Sequence, residues 1–125
     1  MSQDGNGKRA RSITINVQRL TAGSTVVHLV GDLIGDATAA MQQTLVDELS
    51  RAPTQLIVDL SAITRIDAGG VRALAAAAAV AGESDRAFCL VDGRAGPVQA
   101  AIAAEQLSEL FEIFSSISEA VQDCD

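Results

Sequence analysis

The chain has 125 residues, a formal net charge of −7, and 48% hydrophobic residues, with no Trp or Tyr and three Phe. That is the size of one domain with a core of its own, built from aliphatic side chains and alanine and suited to helices lying close on a sheet. The negative balance excludes a phosphate-neutralising nucleic-acid surface, and no apolar run reaches the roughly 18–20 residues that span a bilayer.

Residues 1–12 are polar and glycine-containing, with Lys8, Arg9 and Arg11. They read as a flexible, solvated arm ahead of a domain over 13–122. No apolar segment follows the basic residues, so no signal peptide is expected, and two thiols without an export signal suggest a cytoplasmic protein. "ITINVQRL" (13–20) alternates apolar and polar residues, the mark of a strand with one buried face. "AGS" (22–24) interrupts it and "TVVHLVGDL" (25–33) resumes, giving a β-hairpin. Asp36 is the expected N-cap of a helix whose Met41, Leu45 and Leu49 share a face, and Pro53 marks the exit from it.

"QLIVDLS" (55–61) has the near-continuous apolar run of a strand covered on both sides. "TRIDAGGVRAL" (64–74) then leads into a helix in which Val71, Leu74, Ala75 and Ala78 form a stripe and Gly82 is the expected stop. The alanines of 75–79 predict close packing on the sheet. "AFCLV" (87–91) is another buried strand, with Cys89 as a small core residue. A loop carrying Arg94 leads to a helix over 97–106 opened by Pro97. A short strand within 110–116 and a terminal helix over 116–122, with Ser116 or Ser118 and Glu119 near its start, complete the chain. The fold class is α/β: one domain with a mixed, largely parallel sheet of about five strands and about four helices, mainly on one face.

Few residues offer catalysis. His28 stands alone in the middle of a strand, with no Ser, Cys or carboxylate beside it in sequence, and is expected on an exposed strand face. No GxSxG elbow, P-loop or GxGxxG occurs. Cys89 and Cys124 match no metal spacing, and a disulfide between them is a minor alternative. No enzyme, metal or cofactor is expected.

Asp59, Ser61, Thr64 and Asp67 cluster instead between a buried strand and a helix start, where parallel α/β units gather ligand and partner sites. Asp67 is placed to accept bonds from the first N–H groups of the helix, and Gly69 and Gly70 permit a tight turn. Arg65 and Arg72 flank it. Taken alone, this is a capped strand-to-helix turn.

"LIVDLSAITRIDAGGVRAL" (56–74) resembles the signature of the STAS domain, the module of anti-sigma factor antagonists. Asp59-Leu60-Ser61, Ile66-Asp67 and Gly70-Val71 carry the match, and "HLVGDLIGDATAAMQQTL" (28–45) resembles the family's entry into its first helix. The resemblance covers about residues 13–122. It implies binding to a kinase-like anti-sigma factor, which frees a sigma factor for transcription. The binding surface expected here is centred on 61–72, with Ser61, Thr64, Arg65, Asp67, Ala68, Gly69, Gly70 and Arg72 as its residues. It also implies a phosphoacceptor serine after the aspartate, where a phosphate repels the partner. Here Ala68 stands at that position and Gly69 replaces the second serine. Three readings follow: a permanently competent antagonist, one switched elsewhere with Ser61 and Thr64 the nearest hydroxyls, or a non-switching binding module. Two other functions stay open, a STAS subunit of a membrane lipid-transport complex and a nucleotide or small-molecule sensor. The sequence does not specify the oligomeric state.

Overall fold

The computed structural model describes residues 7–10, 13–20, 23–92 and 97–124. Three strands open the chain: β1 (Gly7–Ala10), β2 (Ile13–Arg19) and β3 (Ser24–Leu33). They are followed by α1 (Asp36–Leu49), β4 (Gln55–Ile66), α2 (Ala68–Glu83), β5 (Ala87–Val91), α3 (Pro97–Ala104), β6 (Glu112–Phe114) and α4 (Ile117–Cys124), with a 3₁₀ turn at Ser108–Leu110. The strands lie side by side in chain order. β1–β2 and β2–β3 are antiparallel, and β3–β4, β4–β5 and β5–β6 are parallel.

The five strands read from the pattern are present, and the sheet gains a sixth from the segment expected to be a free arm. Gly7 to Ala10 pair antiparallel with Asn16 to Ile13, which satisfies backbone groups along the outer edge of β2. Such an edge needs no apolar alternation, which is why composition did not reveal it.

Side chains on opposite faces of each strand feed two cores. Val27, Leu29, Val58 and Leu60 join Met41 and Leu45 of α1, Leu74 of α2 and Ile102 of α3. Val26, Ile57, Cys89 and Val91 face the other way, onto Ala120 of α4. Burying each large aliphatic chain contributes about 1.5–3 kcal/mol, so the face carrying three helices holds most of the stability. Gln55 fastens α4 to the second face: its buried amide accepts from Ser24 Oγ at 3.1 Å and donates to the Ala120 carbonyl at 2.9 Å and to Cys89 Sγ at 3.3 Å.

Two helix ends differ from expectation. Asp36 is not the cap of α1. Gly35 occupies that place with φ 59° and ψ −130°, a backbone only glycine adopts readily, and Asp36 becomes the first helical residue. Its charge there still suits the positive end of the helix dipole. Gly82 does not stop α2, which runs to Glu83. Asp85 takes the left-handed turn at φ 58°, while the N–H groups of Asp85 and Arg86 close onto the carbonyls of Gly82 and Ala81. α4 starts as expected, with Ser116 Oγ accepting from the Glu119 N–H at 3.2 Å.

Because α4 is short, it covers only part of the second face. β4 is buried from Gln55 to Val58, yet Ser61, Ala62, Thr64 and Arg65 on its carboxyl half are exposed. The neighbouring Val30 of β3 is 51% exposed. This open region leads directly into the start of α2.

Candidate partner-docking site

The carboxyl half of β4 does not run in simple register with β3. His28 faces Asp59 and Val30 faces Ala62, so β4 inserts one residue between those pairs. Gly31 then faces Ile63 and Asp32 faces Arg65, which leaves Thr64 as a second insertion. Bulges of this kind turn a strand and re-aim its side chains. Here they place two polar networks on the open face.

The first network joins β2, β3 and β4. Asp59 Oδ1 accepts from the Ser61 hydroxyl at 2.6 Å and from the Ser61 N–H at 3.1 Å. Asp59 Oδ2 lies 3.0 Å from His28 Nδ1, and His28 Nε2 lies 3.1 Å from Gln18 Oε1. Burial pushes the Asp59 carboxyl up, but the bonds from Ser61 and then His28 outweigh it and hold it below the ordinary aspartate value. His28 is part-exposed, as read from the sequence, but it has a carboxylate partner supplied by the parallel register. The order Ser–Asp–His is not that of a hydrolytic triad, because the hydroxyl is bonded to the carboxylate and not to the imidazole that would remove its proton.

The second network lies one step further along. Arg65 donates to Asp32 Oδ2 through Nε at 3.2 Å and a terminal nitrogen at 2.7 Å. Thr64 Oγ1 has two acceptors within reach of its one proton, Oδ1 of the same carboxylate and, at 3.2 Å, the Gly31 carbonyl. Arg65 and then Thr64 hold the Asp32 carboxyl below its ordinary value, and Asp32 in turn raises Arg65. Asp32 was not singled out by the sequence. It lies 33 residues from Arg65, and only the strand register brings them together.

The turn itself is built by Asp67. Its Oδ1 accepts the Gly70 N–H at 2.8 Å and its carbonyl accepts the Val71 N–H at 3.2 Å, the bonding of an N-cap. The two glycines have different roles. A Cβ on Gly70 would stand 2.8 Å from Ile66 Cγ1 and 2.9 Å from the Leu33 carbonyl oxygen, so glycine is required by the approach of α2 to β3. A Cβ on Gly69 would meet only Asp67 Oδ1, at 3.4 Å, an ordinary contact. Neither residue has positive φ, so the backbone conformation of the turn does not itself call for glycine, and the requirement at Gly70 is one of space. Ala68 is the first residue of α2 and half-buried.

The residues read as one surface therefore fall into separate groups. Thr64 and Arg65 meet at Asp32; Asp67, Ala68, Gly69 and Gly70 form the helix start; Ser61 turns back onto Asp59. Arg72 points to Glu105 beyond α3, at 3.7 Å, and is 70% exposed. Arg94 and the Cys124 side chain lie outside the described residues.

A family model described as "Mlab, STAS domain" matches residues 16–113. The chain belongs to the STAS-domain family. The crystal structure of an anti-sigma factor antagonist from Mycobacterium paratuberculosis is similar to this STAS domain at TM-score 0.79 and 26% identity, over 90% of this chain and 94% of that one. The anti-sigma factor antagonist SpoIIAA in its unphosphorylated form shares the fold at TM-score 0.73 and 15% identity, over 87% of this chain and 94% of its own. SLC26A9 also contains the fold, at TM-score 0.71 and 18% identity; the match covers 91% of this chain and 24% of that much longer one. No curated protein sequence matches significantly. No helix among the described residues is long and apolar enough to cross a membrane.

Proposed function

We propose that this STAS domain is a cytoplasmic anti-sigma factor antagonist: it binds a kinase-like anti-sigma factor through the start of α2 and the adjoining end of β4, releasing a sigma factor for transcription. The observation that supports this is a capped strand-to-helix turn, with Asp67 capping α2 and Gly70 seated against Leu33, on a fold shared over nearly its whole length with an antagonist. The turn offers a helix start whose exposed positions, Asp67 and Gly69, are small or fixed in place. Ala68 has no hydroxyl, so a partner kinase cannot end the interaction at that position. Catalysis is not part of this reading, because the one Ser–Asp–His grouping has the wrong bonding order.

Titration of the full chain with the kinase-like anti-sigma factors of its source organism tests this. Micromolar or tighter binding is expected, with the largest amide shifts at residues 64–72 and loss of binding when Asp67 is replaced by a bulky residue. Absence of any shift with every such factor refutes the reading.

A second reading has two observations in its favour. The matching family model carries the description Mlab, and the fold also occurs as a segment of SLC26A9. A STAS subunit docked on a membrane transport complex would use the same exposed helix start. Co-purification with a permease or its ATPase, in place of an anti-sigma factor, would establish it.

A further inference from the structure

We propose that Thr64 is a phosphoacceptor, so that the hydroxyl missing at Ala68 is supplied four residues earlier on β4. The geometry of β4 carries this. Thr64 is the residue left out of the ladder between the pairs Gly31–Ile63 and Asp32–Arg65, and it is exposed. Its hydroxyl points at a carboxylate, Asp32, that also holds the guanidinium of the very next residue. Arg65 is 67% exposed and Asp32 23%, so a second protein can reach the group.

Phosphate on Thr64 would change the pairing. It brings nearly two negative charges and three strong acceptor oxygens, and Arg65 would exchange a monoanionic carboxylate for a dianion beside it. Asp32 would then lose its cation and face a like charge at the position where it now accepts a hydrogen bond. Asp32 directly precedes Leu33, whose carbonyl is the surface against which Gly70 seats α2. Charge at Thr64 is thereby felt at the docking turn through one residue of β3.

Ser61, the other nearby hydroxyl, lacks these features. Its Oγ and its N–H both close onto Asp59 two residues back, an ordinary side-chain turn. The group that shares Asp59 there is the imidazole of His28, at 3.0 Å, in place of the permanently charged guanidinium that stands beside Thr64.

The reaction is phosphoryl transfer from a nucleoside triphosphate held by a protein kinase. Thr64 Oγ1 forms the new bond to the γ-phosphorus, and the bond to the departing nucleoside diphosphate breaks and leaves its electron pair there. The hydroxyl proton passes to the carboxylate base of the kinase.

The consequence for docking rests on the antagonist reading; the modification itself does not. The test is tandem mass spectrometry of the full chain recovered from the cells that make it, before and after incubation of the purified protein with ATP and lysate of those cells. Trypsin releases residues 52–65 as one peptide containing Thr54, Ser61 and Thr64. One phosphate on Thr64 is expected, lost in Thr64→Ala and retained in Thr64→Ser, which keeps the hydroxyl and controls for folding. The phosphorylated chain should also show a shifted Gly70 amide resonance. An unmodified peptide, or phosphate on Ser61 or Thr54 that persists in Thr64→Ala, overturns the proposal. Phosphate on Thr64 in a protein that ignores every anti-sigma factor would leave the modification standing and refute the antagonist.

Discussion

Gly70→Ala puts a single methyl group at the tightest point of the turn into α2, the proposed docking site. The new Cβ would lie 2.8 Å from Ile66 Cγ1 and 2.9 Å from the Leu33 carbonyl oxygen. Ile66 is a side chain and can rotate, but Leu33 offers backbone in a paired strand, so α2 must move away from β3. Overpacking of this kind costs about 1–3 kcal/mol. The helix preference of alanine over glycine returns up to about 1 kcal/mol. Taken at the middle of both ranges the net loss is about 1–2 kcal/mol, which for a chain of this size lowers Tm by about 4–8 °C. Gly69→Ala is the paired control. Its Cβ meets only Asp67 Oδ1 at 3.4 Å, and the residue has no positive φ to strain, so the same chemical change should be neutral or stabilise by about 0.4–1 kcal/mol. Urea and thermal unfolding of both variants measures the difference. If Gly70→Ala melts at or above the wild-type temperature, the seat of α2 on β3 is not what requires glycine, and the explanation of the turn fails.

Asp67→Ala removes the cap of α2 and should cost about 0.5–2 kcal/mol in urea unfolding, with Asp67→Asn recovering most of it because its side-chain oxygen still accepts the Gly70 N–H. Asp59 has a folded-state pKa below its ordinary 3.8, so its contribution to stability is complete above that value and is lost as pH falls through the lower folded value. Wild type and Asp59→Asn should therefore differ most near neutrality and converge in acid, as read from urea midpoints between about pH 6 and about pH 3; a gap that widens in acid would contradict the assignment. Ala68→Ser in a Thr64→Ala background should gain one phosphate from the kinase-like partner and ATP and bind that partner more weakly than the same variant before ATP is added, while Thr64→Ala alone should gain no phosphate. Intact mass and a binding titration check both halves.

Much of the architecture was legible in the chain because the signals are local. Period-two alternation marked β2, the near-continuous apolar run of 55–61 marked a strand covered on both sides, and Asp67 three residues before Gly70 marked the cap, each decided by hydrogen bonds or burial within a few residues. Helix ends were less legible. A left-handed residue is needed at the end of α2, yet Asp85 fills that place as well as the nearby Gly82 would, so composition alone pointed to the wrong position.

The site needed the tertiary structure for a different reason. Whether Thr64 is a turn former or one end of a charged network depends on the residue opposite it, and that is set by two inserted residues in β4. With uninterrupted register, Asp32 would have another neighbour. His28, alone among polar and apolar strand residues in the sequence, acquires Asp59 by the same parallel alignment. The length of α4 likewise decides how much of the second sheet face stays open, because the strands beneath it carry the same β-type pattern whether covered or not. The sequence by itself determined the order of elements and the cap that starts α2. Strand register, a sum of many backbone bonds across segments about 30 residues apart, decided which side chains meet beside it.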